Sequence, residues 1–150
     1  MISEKKVFDL FSDIDMSCTA ELQRLGIEGT SKLTKGGILI SFESFDPGTL
    51  SKVARLPVKG FDFSKVKMPE IRDLKRFSLS EIWIPSDAEI RFSDLNDFKL
   101  ESLFADGVQF TDFESLACHP LQHLSLGKTK LLDLDFLETN KLQTLNVSFT

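Results

Sequence analysis

The fold of this chain is decided by one stretch, residues 121–134, which reads LQHLSLGKTKLLDL. Its apolar residues occupy positions 1, 4, 6, 11 and 14 of a unit, and Leu137 continues the series at position 17. The opening positions are also apolar one unit later and one unit earlier, 21 residues away in each direction: Leu142, Leu145 and Val147, and Leu100, Leu103 and Ala105. The sequence therefore repeats with a period of 21 residues.

The repeat extends through most of the chain, in units that start near residues 37, 58, 79, 100, 121 and 142. Positions 1, 4, 6, 14 and 17 of these units make 28 sites, and 27 of them are apolar, with Gly37 as the exception. Random placement at the overall apolar content of 41% gives about 11 or 12 apolar sites. The excess argues against an unrelated α/β domain with accidental spacing and indicates stacked repeats that share one core.

Each unit divides into a strand half and a helical half. Positions 4 and 6 lie on one face of a strand and positions 3 and 5 on the other, because side chains alternate along a strand. Positions 14 and 17 have the spacing of a short α or 3-10 segment that closes over the same core, and Thr111 to Glu114 is a capping-box sequence for one such segment. We therefore expect parallel strands near residues 39, 60, 81, 102 and 123 and a last strand at 143–147.

Residues 121–134 resemble the LxxLxLxxTxIxDL signature of the leucine-rich-repeat family, in the short bacterial class found in internalin-like proteins and in the repeat tails of some bacterial kinases. The resemblance is strong over residues 100–150, moderate over 58–95, and covers roughly two-thirds of the chain. It implies an α/β fold, a right-handed solenoid with a concave parallel sheet and short helical or 3-10 segments on the convex side. Such proteins usually bind another macromolecule through the concave face.

Position 9 departs from the family pattern, in which Asn, Cys or Thr bonds the loop backbone. Residues of mixed type stand here: Phe45, Val66, Asp87, Val108, Thr129 and Thr150. The ladder of position-9 bonds is therefore incomplete, and we expect the early repeats to be less regular.

Residues 1–36 precede the repeats of residues 37–150 and carry two helical patterns. The first spans residues 3–14 with Ser3 as its N-cap, and the second, about residues 19–25, ends at Gly26. We predict an N-terminal helical cap that shields the core of the first strand. A partner-binding amphipathic helix is the alternative.

The charge balance argues against nucleic acid and anionic lipid as partners. With 18 basic and 23 acidic residues the net charge is −5, and no basic patch is segregated. No apolar run approaches the ~18 residues of a membrane span, and the charged N-terminus lacks the apolar core of a signal peptide. We therefore expect a cytoplasmic protein, and because Cys18 and Cys118 lie far apart in such a chain, we expect free thiols and no disulfide.

No enzyme, cofactor or metal signature stands out. Gly36 and Gly37 lack the lysine and spacing of a phosphate loop and are interpreted as a turn. Cys118, His119 and His123 invite a zinc interpretation, but a fourth ligand is missing and the positions alternate between loop and strand. No group is evident to orient Cys118 as a nucleophile. We expect no catalysis, no metal and no cofactor.

The candidate binding site lies on the concave face, where positions 2, 3, 5 and 7 are mostly small or polar. Trp83 and Phe104 are the exceptions, because they share position 5 in consecutive repeats and so stand about 5 Å apart at the backbone. We predict a partner-binding patch around this pair, with four flanking residues: Glu81, Ser102, Asp106 and His123. Its acidic members favour a neutral or basic partner surface. The alternative is that a loop of the same chain covers the aromatic pair.

The predicted function is a noncatalytic protein-binding module whose partner the sequence does not identify. A structural or remnant solenoid of a larger protein, without its own ligand, is the alternative. Because the sequence stops at Thr150, before the helical half of its last repeat, the final strand is expected to offer an unpaired edge. We expect a two-fold dimer through this edge, or a native polypeptide longer than this one.

Overall fold

A computed structural model describes residues 19–110, 112–130, 134–137 and 141–148, which form a seven-stranded sheet. The strands, which neighbour each other in chain order, are β1 (Gly29–Thr34), β2 (Gly37–Phe42), β3 (Val58–Asp62), β4 (Glu81–Trp83), β5 (Ser102–Phe104), β6 (His123–Ser125) and β7 (Thr144–Asn146). β2 to β7 pair in parallel, whereas β1 pairs antiparallel with β2. The parallel strands predicted from the 21-residue period are therefore confirmed.

Short helical segments connect the parallel strands. Helix α1 covers residues 19–24 of the described chain, and one segment then follows each of β2 to β6: α2 (Thr49–Val53), α3 (Ile71–Leu74), and the 3-10 helices η1 (Phe92–Leu95), η2 (Phe113–Cys118) and η3 (Asp135–Leu137). The described part of the chain contains no helix long and apolar enough to cross a membrane. The result is an α/β repeat fold, as predicted.

The core lies between the sheet and the helical segments. Position 4 is buried in the first five units: Ile40, Phe61, Ile82, Leu103 and Leu124. Phe92 and Leu95 of η1 close over this row from the helical side, and the Phe92 ring stacks on Phe110 with 3.5 Å between centroids. Full burial of one such side chain contributes about 1.5–3 kcal/mol. Stacking the units therefore supplies the apolar burial that a single unit lacks.

The sheet register follows the repeat. Each residue of β4 pairs with the residue 21 positions later in β5, as in Ile82 with Leu103, and β5 to β7 continue in the same way. Only between β2 and β3 does the register shift, next to Ile38 and Leu39. Equivalent positions of successive units therefore form continuous rows across the sheet.

Helix α1 ends where the sequence predicted a helix end. Gly26 has a φ of +72°, which glycine adopts without steric cost, and the Ile27 amide donates to the Leu22 carbonyl at 2.9 Å, the bond of a Schellman cap. Leu22 is fully buried in the core. The other predicted helix, residues 3–14, lies outside the described residues.

Strand β1 was not predicted, and it occupies part of the region expected to be a helical cap. Residues 29–34 contain one apolar residue, Leu33, so they lack the alternation that identifies a strand. Their pairing with β2 around the Gly36 turn, where φ is +87°, supplies the stabilisation instead. The close packing here also explains the exception at Gly37, because a Cβ there would lie 2.4 Å from the Pro57 carbonyl oxygen.

Asp112 links two neighbouring units. Its carboxylate accepts hydrogen bonds from the Phe92 and Ser93 amides, both at 2.9 Å, and so caps η1 of the preceding unit. It makes no side-chain cap bond to its own segment η2, and Thr111 of the predicted capping box lies outside the described residues. Burial by itself raises the pKa of Asp112, but the bonds from Ser93 and Phe92 outweigh it and hold the pKa below the ordinary value.

Positions 20 and 9 of the repeat also contribute residues to the core. Position 20 forms a core row that was not predicted, in which Phe77, Phe98 and His119 are buried. At position 9, the buried Thr129 hydroxyl donates to the Leu126 carbonyl at 2.7 Å, the loop bond that the family resemblance implies, whereas Val108 simply packs in the core. Position 9 therefore changes from apolar packing to loop bonding between these two units.

Candidate functional site

The open face of the sheet, defined here as the face turned away from the core, carries two rows of side chains. Row three holds position 3 of each unit: Leu39, Gly60, Glu81, Ser102, His123 and Thr144. Row five holds position 5: Ser41, Asp62, Trp83, Phe104, Ser125 and Asn146. Because the strands are in register, each side chain is next to its counterparts on the adjacent strands.

Trp83 and Phe104 form an aromatic stack at the centre of row five. Their ring centroids are 3.9 Å apart and the ring planes differ by 18°, which is a face-to-face contact between adjacent strands. The indole Nε1 of Trp83 donates to Glu81 Oε1 at 2.9 Å, so the carboxylate fixes the orientation of the ring. Both aromatic side chains are half-buried, so part of each remains accessible on the open face.

Polar networks flank the stack on both sides in row five. Towards β3, Asp62 accepts from the Ser64 amide at 2.9 Å, from the Ser64 hydroxyl at 2.6 Å, and from the Ser41 hydroxyl at 3.3 Å. Towards β6, Asp106 Oδ1 accepts from the Ser125 hydroxyl at 2.6 Å and from the Gly127 amide at 2.8 Å. The aromatic pair is therefore a small apolar platform between two anchored carboxylates.

The six predicted site residues do not all contact one another. Glu81 bonds Trp83 directly, and Ser102 lies beside Glu81 in row three. His123 is one strand further along and shares a 2.8 Å hydrogen bond between its Nδ1 and the Thr144 hydroxyl. Asp106 is exposed and turned towards β6.

Asp62 and Ser125, the row-five neighbours of the stack, were not predicted as site residues. Both occupy position 5, as Trp83 and Phe104 do, and Asp62 pairs with Trp83 while Ser125 pairs with Phe104. The shared position in the repeat was the signal that could have identified them.

The open face is acidic around the stack. Within the described ranges, no ion pair includes Asp62, Glu81 or Asp106. The nearby Lys59 side chain runs along Gly37 and towards Gly36, away from β4. This arrangement leaves the carboxylates available to a positively charged ligand.

The Cys118, His119 and His123 cluster does not form a metal site. His119 is 2% exposed and its Nδ1 accepts from the Leu100 amide at 3.3 Å, whereas His123 lies on the open face. Cys118 is exposed, and its Sγ contacts the Ser115 carbonyl at 3.1 Å. The described residues contain no group of three metal-ligating side chains.

His119 gives the fold a dependence on pH. Burial lowers its pKa, and protonation of Nδ1 would replace the acceptor of the Leu100 amide with a donor. Because the folded-state pKa lies below the unfolded value of about 6.5, this contribution to stability is complete above that pH and is lost as the pH falls below it.

We expect the free energy of unfolding to fall more between pH 7.5 and pH 5.5 for the wild type than for His119→Phe. The variant keeps an aromatic ring at position 20, as in Phe77 and Phe98, and removes the titrating group. Urea denaturation at the two pH values measures both differences. An equal fall in the two proteins would contradict the assignment to His119.

A groove of about 710 Å³ lies on the helical side, between residues 67–75 and 87–97. Charges of both signs line it, and four of these residues form two ion pairs: Arg72 with Glu70 at 2.7 Å and Lys75 with Asp97 at 2.7 Å. Lys67, Asp87 and Glu89 also line the groove and form no ion pair among the described residues, but the groove has no aromatic side chain to anchor a partner. The open face remains the better candidate.

The β7 end of the sheet exposes core positions. Among the described residues β7 has a neighbour on one side only, β6. Leu145 is 40% exposed and Leu134 is 37% exposed, although the corresponding residues of earlier units, such as Leu124, are buried. Among the described residues, no strand pairs with the outer edge of β7, and the apolar Leu145 beside it is exposed.

Comparison with known proteins supports the fold. No family model matches the chain, and no curated protein matches it. Among solved structures, the crystal structure of an internalin C2 from Listeria monocytogenes is similar, with a TM-score of 0.53 and 19% sequence identity. The match covers 71% of this chain and 48% of that chain, so this chain spans about half the length of its structural neighbour. The likeness shows a leucine-rich-repeat fold.

Proposed function

We propose that this chain is a noncatalytic protein-interaction module that binds another protein through the open face of its sheet. In this proposal the solenoid is right-handed, and the open face is its concave face. The N-terminal residues 1–36 serve as a cap for the first parallel strand. The leucine-rich-repeat fold supports an interaction role in general, since stacked repeats present an extended surface.

The observation that carries the proposal is the half-buried stack of Trp83 on Phe104. Neither ring belongs to the core, because the strand directs Ile82 and Leu103 inwards at the neighbouring positions. Aromatic anchors surrounded by polar groups are typical of the residues that dominate binding energy at interfaces. The stack has such a surround in Glu81 and Asp62.

The proposal also specifies where the protein is located and which classes of partner are disfavoured. We place the protein in the cytoplasm, where the exposed free thiol of Cys118 is stable in its reduced form. The net charge of −5 and the acidic open face disfavour nucleic acid and anionic lipid. A protein with a neutral or basic surface is the partner class that fits.

We expect Trp83→Ala to weaken partner binding by about 2 kcal/mol, roughly 30-fold in Kd. The reason is the loss of the larger ring of the stack. The immobilised protein captures binding proteins from cell lysate, the captured protein is purified, and calorimetric titration gives its Kd for the wild type and the variant.

Two further measurements make this test specific. Trp83→Phe keeps an aromatic ring on Phe104 and should retain more of the affinity than Trp83→Ala. Denaturation of Trp83→Ala should show a loss of about 1–2 kcal/mol, from the aromatic pair and the partial burial of the ring, which is less than truncation of a core residue costs. A large loss of stability with unchanged affinity would mean that the ring is internal packing.

We also propose that a second copy of the chain covers the β7 end. Exposed Leu145 and the unpaired β7 backbone favour antiparallel pairing of two β7 strands across a two-fold axis. Sedimentation velocity should then detect a concentration-dependent dimer, and Leu145→Glu should remain monomeric. A single monomeric species of the wild type at high concentration would contradict this pairing.

A further inference from the structure

We infer that the open face binds an arginine side chain of its partner, with the guanidinium stacked on the free face of Trp83 and paired with Asp62. This inference rests on the proposed function, because it specifies which chemistry of a partner protein the site recognises. It is carried by the geometry of row five, by the anchoring of Asp62 and by the distribution of charge.

The free face of the Trp83 indole points towards β3. Its other face is covered by Phe104, which belongs to β5 on the opposite side of β4. The row-five residue on β3, next to Trp83, is Asp62. An aspartate side chain is much shorter than an indole, so a planar group has room above Asp62 and against the ring.

The Asp62 carboxylate is held in place and keeps acceptor capacity. Ser64 donates twice to Oδ1, at 2.9 Å and 2.6 Å, and the Ser41 hydroxyl reaches Oδ2 at 3.3 Å. An ionised carboxylate accepts about four hydrogen bonds, so one position stays open after these three. That position serves the N–H of an incoming cation.

The charges around Trp83 select a cation. In the part of the chain that the structure describes, no basic side chain lies within ion-pair distance of Asp62. Lys65 is paired with Glu43 at 2.9 Å, and Asp62 adds a weaker Coulombic attraction to the same ammonium without forming an ion pair with it. Glu81 brings a second carboxylate to the Nε1 edge of the indole, where it accepts the 2.9 Å hydrogen bond from Nε1.

Arginine fits these groups better than lysine does. The guanidinium is planar and stacks on an aromatic face while one of its N–H groups bonds a carboxylate in the same plane. A lysine ammonium is a compact point charge that is more strongly hydrated, so it stacks less well on the aromatic face. Cation–π attraction is also strongest over tryptophan.

The test uses the tryptophan itself as the reporter, since the chain contains a single tryptophan and no tyrosine. Hexa-arginine, hexa-lysine and hexa-glutamate peptides are titrated into the full chain labelled with ¹⁵N. The shift of the Trp83 indole N–H resonance is followed at low salt. We expect a saturable shift with hexa-arginine, a weaker affinity for hexa-lysine and no shift with hexa-glutamate.

Matched charge variants locate the contact. Asp62→Asn should weaken hexa-arginine binding about two- to fivefold, the range of an exposed ion pair, because the cation–π contact with Trp83 remains. Glu89→Gln removes the same charge from an exposed position on the helical side and should leave the affinity within about 1.5-fold. Equal weakening by the two variants, or no Trp83 shift with hexa-arginine, would overturn the inference.

Failure of this inference differs from failure of the proposed function. A captured partner that loses affinity with Trp83→Ala but not with Asp62→Asn would support open-face binding and overturn the arginine contact. A partner whose affinity is unchanged by both variants would overturn the proposed function, and the arginine contact with it. A loss with both variants that hexa-arginine competes away would support both.

Discussion

Leu103→Ala is expected to lower the free energy of unfolding by about 3 kcal/mol. Leu103 is 0% exposed and occupies position 4 of the central unit, with Ile82 and Leu124 beside it in the same core row. Truncation removes buried methyl groups and leaves a cavity that the rigid stack of units fills only in part. Urea denaturation followed by circular dichroism measures the change.

Phe104→Ala is the matched control, because Phe104 is the next residue of the same strand and lies on the opposite face. It should cost only about 1 kcal/mol, since its ring is half-buried and its main contact is Trp83. Leu103→Ala should in turn leave partner affinity unchanged in the protein that remains folded. A larger stability loss for Phe104→Ala than for Leu103→Ala would reverse the assignment of the two faces.

The parallel sheet was predictable because each unit repeats the same physical requirement. Apolar residues every 21 positions must face one core, so strand register and the inward row of Ile82 and Leu103 follow from the period. β1 was not predictable in this way, because residues 29–34 satisfy no repeat pattern and are stabilised by pairing with β2. Position 20 was missed because it is apolar only in the first three units, as Leu56, Phe77 and Phe98, and then becomes His119 and Asn140.

The candidate site was predictable in place but not in detail. Shared position 5 puts Trp83 beside Phe104, and the backbone spacing follows from strand geometry. The face-to-face stack depends on side-chain rotamers, which the Glu81 bond to Nε1 restricts, and no repeat pattern encodes that bond. The hydrogen bonds that hold Asp106 to Ser125 and Gly127 are likewise not encoded by the repeat pattern.

The repeat separates stability from recognition within one strand. In β4, Ile82 is buried while Glu81 and Trp83 face outwards, so the outward positions are free to vary without disturbing the core. The aromatic platform of Trp83 and Phe104 is therefore a property of two units and not of the whole solenoid. Substitutions there are expected to act on binding, whereas inward substitutions act on folding.

Phe92→Ala is expected to have the largest effect on stability, a loss of about 4 kcal/mol. Phe92 is 0% exposed, stacks on Phe110 at 3.5 Å, and contacts Phe113 of the next unit at 5.6 Å between centroids. Its amide is also one of the two that donate to Asp112, so the ring and backbone together join two units. Removing the ring weakens the interface between units as well as the interior of one.

The control for Phe92 is Lys99→Ala, at an exposed position of the same unit, which should change the free energy of unfolding by less than about 0.5 kcal/mol. Differential scanning calorimetry of the wild type, Phe92→Ala and Lys99→Ala measures the stabilities, and the width of each unfolding transition reports cooperativity. Because neighbouring units stabilise each other through this interface, Phe92→Ala should also broaden the transition. A small loss with an unbroadened transition would mean that the sheet alone couples the units, and that the helical side contributes little to their stacking.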